Sequence, residues 1–121
     1  TDVERIGDQA QDISEIVTFL RGRTAEHDDM LCQMARATIS MVTESVDAFV
    51  KHDTIKAEAV LAADDTVDAY FEQVKHALIG RIAADPADGE YALDLLMIAK
   101  YFERIGDHAA NIAECIRRDR P

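Results

Sequence analysis

Glu103-Arg104-Ile105-Gly106-Asp107, near one end of the chain, recurs near the other as Glu4-Arg5-Ile6-Gly7-Asp8. The offset is 99 residues, and between Glu4 and Glu15 8 of 12 positions match their counterparts. Self-similarity at a fixed offset is the mark of an internal structural repeat. The intervening length holds three helices and their loops. The chain therefore reads as the last helix of one unit followed by one whole unit.

Hydrophobic periodicity supports helices throughout. Ile6, Ala10, Ile13, Val17 and Leu20 recur at steps of three and four, which puts them on one helix face from about Asp2 to Leu20. Arg21-Gly22-Arg23-Thr24 ends that helix, with Gly22 as a left-handed cap. A second helix starts near Asp28 or Asp29. Its seam runs through Leu31, Met34, Ala35, Thr38, Met41, Val42, Ser45, Val46 and Phe49, with Lys51 and His52 in the last turn opposing the negative helix end. Asp53 is placed to cap a third helix directly, so the turn between them is tight. That helix buries Ile55, Val60, Val67, Phe71, Val74, Leu78 and Ile82. Asp85 before Pro86 is a cap followed by a favoured first-turn proline. A fourth helix then runs to about Arg118, burying Leu95, Ile98, Phe102, Ile105, Ala109, Ile112 and Ile116. No segment alternates as a strand does. The expected fold is an all-α antiparallel bundle of about four helices with short connections.

Composition narrows the function. With 13 Lys+Arg against 24 Asp+Glu the chain carries −11, which opposes the phosphate contacts that drive nucleic-acid binding. Basic proteins or cations are better partners for such a surface. No apolar run reaches the ~18 residues of a membrane span, so membrane insertion is not expected. The acidic, helical start Thr1-Asp2-Val3-Glu4 does not resemble a signal peptide. Thr1 is not an initiator methionine, and the chain is read as beginning inside a longer sequence. Cys32 and Cys115, without metal-type spacing, read as small core-filling thiols in a reducing cytoplasm.

Acidic pairs at i, i+4 include Glu4/Asp8, Asp64/Asp68 and Glu103/Asp107. Each pair lies within about 40° on its helix, one turn apart. Two such pairs facing each other supply hard oxygen ligands around one small volume, suited to Mg, Ca, Mn or iron. An acidic pair is ordinarily a solvated helix face. Against that, like charges at this spacing weaken a helix. The acids of the fourth helix are also bordered by Ala99, Gly106 and Ala110, and a mid-helix glycine costs about 1 kcal/mol against alanine. Gly106, like Gly7, points to a close approach at the backbone, by a neighbouring helix or by a ligand.

The histidines give weaker leads. His108 projects about 100° from Asp107, so the two do not share an ion. His27 reads as loop. His76, four residues before Gly80, invites comparison with histidine phosphotransfer domains, but Ile79 stands where such domains carry a basic residue. A di-iron carboxylate centre would need Glu-x-x-His pairs, and Glu72 and Glu103 are followed three residues on by Lys75 and Gly106. No catalytic triad, phosphate loop or nucleotide fingerprint is present, and no enzymatic function is expected.

The doubled Glu-Arg-Ile-Gly-Asp motif, with Asn111-Ile112-Ala113-Glu114 after its second copy, resembles the signature of the PhoU family of phosphate-signalling proteins. The family consists of two tandem three-helix repeats, each ending in such a helix. The resemblance implies that residues 1–21 are the last helix of a first repeat and residues 27–118 a complete repeat, together one compact domain. It also implies a metal centre on carboxylates, with Glu103 and Asp107 matching one family motif and Asp64 and Asp68 a second on the neighbouring helix. Glu4 and Asp8 match the motif of the first repeat, whose facing helix is absent from this chain. The ion is left open among iron, Mn, Mg, Ca and Zn. The implied role is negative regulation of the phosphate-starvation response, coupling a phosphate ABC transporter to a sensor histidine kinase in the cytoplasm. The first helix must bury Ile6, Ile13 and Val17, either as a fourth helix of the bundle or by exchange with a second chain in a homodimer.

Overall fold

Four helices make up a computed structural model that describes residues 1–18 and 29–118. They are α1 (Asp2–Thr18), α2 (Asp29–Lys51), α3 (Thr54–Ala84) and α4 (Gly89–Arg118), with a 3-10 turn at Pro86–Asp88. No strand occurs among the described residues, so the all-α expectation holds. Gly22, His27, Asp28 and Leu20 lie outside the described residues, as does the side chain of Val17.

Each end of α3 is built from local chemistry that the sequence announces. The Asp53 carboxylate accepts the Lys56 N–H at 3.0 Å, satisfying an amide that has no partner within the helix. Asp85 caps the 3-10 turn by accepting the Ala87 N–H at 3.1 Å, with Pro86 at the first turn position. The α2–α3 turn is as tight as expected, and a residue with a β-carbon makes it. His52 adopts φ 54, a left-handed conformation usually left to glycine. The Asp53 N–H bonds back to Ala48 O at 2.9 Å and the His52 N–H to Phe49 O at 3.4 Å, a Schellman closure of α2. His52 is therefore the turn residue beyond α2, and Lys51 is the last cation of its final turn.

The core sits where α2, α3 and α4 meet. Met34, Met41, Val67, Val74, Leu95 and Ala109 are all but sealed from solvent. Two hydroxyls buried among them are satisfied by their own helix: Thr38 Oγ1 donates to Met34 O and Ser45 Oγ to Val42 O, both at 2.9 Å. On α4 the expected face is buried at Leu95, Ile98, Ile105, Ala109 and Ile116, with Phe102 and Ile112 packed against it.

Four expected core positions are corrected. Ile55 is 83% exposed, because it lies about 200° round α3 from Ala57, which takes the inward position. Val46 and Phe49 are exposed as well. The inward seam of α2 runs Leu31, Met34, Thr38, Met41, Ser45, Ala48, which leaves Val46 and Phe49 about 100° away from it. Helix α2 thus carries two adjacent apolar seams, only one of them covered among the described residues. Cys115 is exposed rather than core-filling, and Cys32 is half-buried; neither forms a disulfide.

Within the single chain α1 packs along α4 as a fourth helix. Its Ile6, Ala10 and Ile13 face Phe102 and Ile105 across a cleft of about 300 Å³, whose other wall is α2 at Ile39 and Val42. No helix among the described residues is long and apolar enough to cross a membrane.

Candidate metal centre

Packing α3 against α4 brings Asp64 and Asp68 up to the second copy of the repeated motif. Val67 is fully buried between them, so the helix phase that anchors it holds both aspartates along the α3–α4 boundary. Asp64, Asp68 and Asp107 each contribute a carboxylate oxygen to a group in which all three oxygens lie within 4.8 Å of one another.

Gly106 shapes this site from behind. It is buried, and a β-carbon built on it would lie 3.5 Å from Val67 Cγ1, 3.6 Å from Met41 Sδ and 3.7 Å from Asp64 Oδ1. The close approach anticipated from the glycine is thus that of α2 and α3 packed onto α4. The same packing seals Asp64 Oδ1 from water without a hydrogen-bond partner. A buried acceptor left unpaired costs on the order of 1–3 kcal/mol, a penalty that a proton or a cation would relieve.

The electrostatics follow from that crowding. Burial first, then the charges of Asp68, Asp107, Asp65 and Glu103, push the Asp64 carboxyl up to about 6. Burial and neighbouring acids raise Asp68 and Asp107 as well, with Lys100 working in the opposite direction on both. Oxygens spaced this way can reach a common hard cation at metal–oxygen distances of about 2.0–2.6 Å. The donor set fits such an ion, since it is all carboxylate and one oxygen is already dehydrated.

The other residues singled out from the sequence have different surroundings. The Glu103 side chain, only 17% exposed, is turned to Lys100, whose Nζ lies 2.6 Å from Glu103 Oε1. Glu4 and Asp8 are exposed on α1, and among the described residues they join no third acid, histidine or cysteine in a ligand group. The backbone N–H of Glu4 donates to Thr1 Oγ1 at 3.2 Å, so Glu4 stands in the first turn of α1. His76 projects from α3 with 75% of its side chain exposed and Glu72 Oε2 4.0 Å away.

One polar link was not visible in the sequence. His108 Nδ1 lies 3.0 Å from Asp2 Oδ1, and Asn111 Nδ2 donates to the same oxygen at 3.3 Å. Burial works against ionising Asp2, but these hydrogen bonds outweigh it and hold the carboxyl below its ordinary value. The link ties α1 to α4. Its only sequence trace is that the repeat changes where it is made: Gln9 and Asp12 match His108 and Asn111.

Comparison with known families matches residues 31–116 to the PhoU domain. A phosphate-specific transport system accessory protein PhoU homolog of Clostridium acetobutylicum is 33% identical over 117 residues, covering 94% of this chain and 52% of that protein. The PhoU homolog 1 of Thermotoga maritima is 32% identical over 115 residues, covering 93% of this chain and 50% of the relative. The homolog of Aquifex aeolicus is 35% identical over 109 residues, covering 86% and 48%. The chain spans about half the length of these curated relatives.

Proposed function

The chain belongs to the PhoU domain family, and we propose that it serves as a metal-binding, non-enzymatic module regulating phosphate uptake. In this reading residues 27–118 are a complete three-helix repeat and residues 1–21 end a preceding one. The observation that carries it is the doubled motif on a bundle matched to that family, its second copy facing two further aspartates. Relatives named as accessory proteins of phosphate-specific transport systems support a role beside a phosphate ABC transporter. A sensor histidine kinase is the second partner in this reading, and the cytoplasm the compartment. The module restrains the starvation response while phosphate is plentiful.

Asp64, Asp68 and Asp107, with Glu103 one turn away, would hold a hard divalent or trivalent cation drawn from iron, Mn, Mg, Ca and Zn. Such an ion would supply the positive charge that the crowded carboxylates lack and the partner that Asp64 Oδ1 lacks. Glu4 and Asp8 would be half of a second site, completed by carboxylates from outside this chain.

A starvation-response reporter in a bacterium lacking its own PhoU-family protein tests the regulatory role. Expression of the chain should silence the reporter in phosphate-rich medium, and Asp64→Asn/Asp68→Asn should weaken that silencing. A reporter that stays on with folded, abundant protein present would contradict the reading.

A further inference from the structure

We propose that Lys100 is a built-in counter-cation that holds Glu103 away from the three-aspartate group and so sets how tightly the centre takes a metal. The inference rests on the metal-binding reading above and concerns its regulation. Lys100 stands three residues before Glu103 on α4, with its Nζ 2.6 Å from Glu103 Oε1. Its ammonium also lies 5.2 Å from the centre of the Phe71 ring on α3, which keeps the charge at the α3–α4 boundary. Glu103 is the least exposed partner of the pair, at 17% against 42% for Lys100. It is close enough to the group that its charge raises Asp64, Asp68 and Asp107 together.

The consequences follow from charge balance. With no cation bound, four carboxylates crowd one boundary, and Lys100 offsets part of their repulsion while engaging Glu103, the one outside the three-oxygen group. To join the aspartates as a fourth ligand, Glu103 must give up its ion pair with Lys100. The lysine therefore works in two ways. It stabilises the metal-free protein, and it subtracts from metal affinity the cost of releasing Glu103. Lys100 is a positioning residue here, acting through Glu103.

Manganese(II) titration calorimetry on the whole chain tests this with wild type, Lys100→Met, Lys100→Arg, Glu103→Gln and the Lys100→Met/Glu103→Gln double variant, each checked for helicity. Methionine keeps a flexible, unbranched side chain and removes the charge; arginine keeps the charge. Lys100→Met should bind about tenfold more tightly, Lys100→Arg within about twofold of wild type, and Glu103→Gln about tenfold more weakly. In the Glu103→Gln background, Lys100→Met should gain no more than about twofold, because no held carboxylate remains to be released. A tenfold gain in both backgrounds would mean simple charge repulsion and overturn the positioning role. An unchanged affinity in Lys100→Met, with wild type binding, would overturn the proposal and leave the metal reading standing. If wild type binds no manganese, both fall.

Discussion

The two copies of Glu-Arg-Ile-Gly-Asp are nearly the same peptide in two different environments. In α4, Gly106 is buried under α2 and α3, Ile105 is buried beside the cleft between α1 and α2, and Asp107 meets Asp64 and Asp68. In α1, Ile6 is half-buried, Gly7 has open space where a β-carbon would project, and Glu4 and Asp8 face outward. The motif by itself makes no site. What turns five residues into a candidate metal centre is the pair of helices laid across them, which supplies two more aspartates and dehydrates one of their oxygens. A repeated sequence predicts a repeated local structure, while the chemistry depends on the neighbours that each copy finds.

The packing difference should be the easiest to break. Ile105→Ala should lose about 2–4 kcal/mol in urea unfolding, since it empties a buried site, whereas Ile6→Ala should lose about 1 kcal/mol or less. Equal losses would mean that α1 is as fully packed as α4.

Electrostatics of the buried copy give the next effect. Folded, metal-free Asp64 titrates at about 6, above the ordinary 3.8. Between those pH values the folded protein holds a proton that the unfolded chain has released. The contribution of this group to stability is therefore largest below about pH 4 and declines as pH rises to about 6. After allowance for solvent screening the swing is on the order of 1 kcal/mol. Thermal melts of chelated wild type and Asp64→Asn from pH 4 to pH 7 should diverge in that sense, with the variant gaining most at pH 7. Parallel profiles would place Asp64 in water.

The glycines sharpen the comparison at smaller scale. Gly7→Ala adds a methyl into open space and should stabilise the protein by about 0.5–1 kcal/mol. Gly106→Ala should gain less, because its methyl must fit 3.5–3.7 Å from Val67, Met41 and Asp64 and further dehydrates that carboxyl. A larger gain at Gly106 would show that the α3–α4 contact is looser than described.

Much of the fold was legible because its signals are local. Apolar spacing, the Asp53 cap and the Asp85-Pro86 turn each act within a few residues of where they are read. The failures come from phase and distance. Val46 and Phe49 continue an apolar seam on α2 that spacing alone cannot tell from the inward one beside it. Asp2 and His108, 106 residues apart, meet only because α1 lies along α4 in one register. The site divides the same way. The i, i+4 acids were visible, and Gly106 was a true sign of close packing, whereas Gly7, read the same way, faces open space. Which carboxylates converge depends on how α3 and α4 slide against each other, and the turn of Glu103 toward Lys100 is a side-chain choice made within that packing.

The most direct test of the account is a manganese(II) titration that sets the two copies side by side, with wild type, Glu4→Gln/Asp8→Asn and Glu103→Gln/Asp107→Asn compared by calorimetry. The first double variant should bind as wild type does, and the second should lose binding by about a hundredfold or more. Binding that survives in Glu103→Gln/Asp107→Asn, or that disappears in Glu4→Gln/Asp8→Asn with the fold intact, would contradict the account.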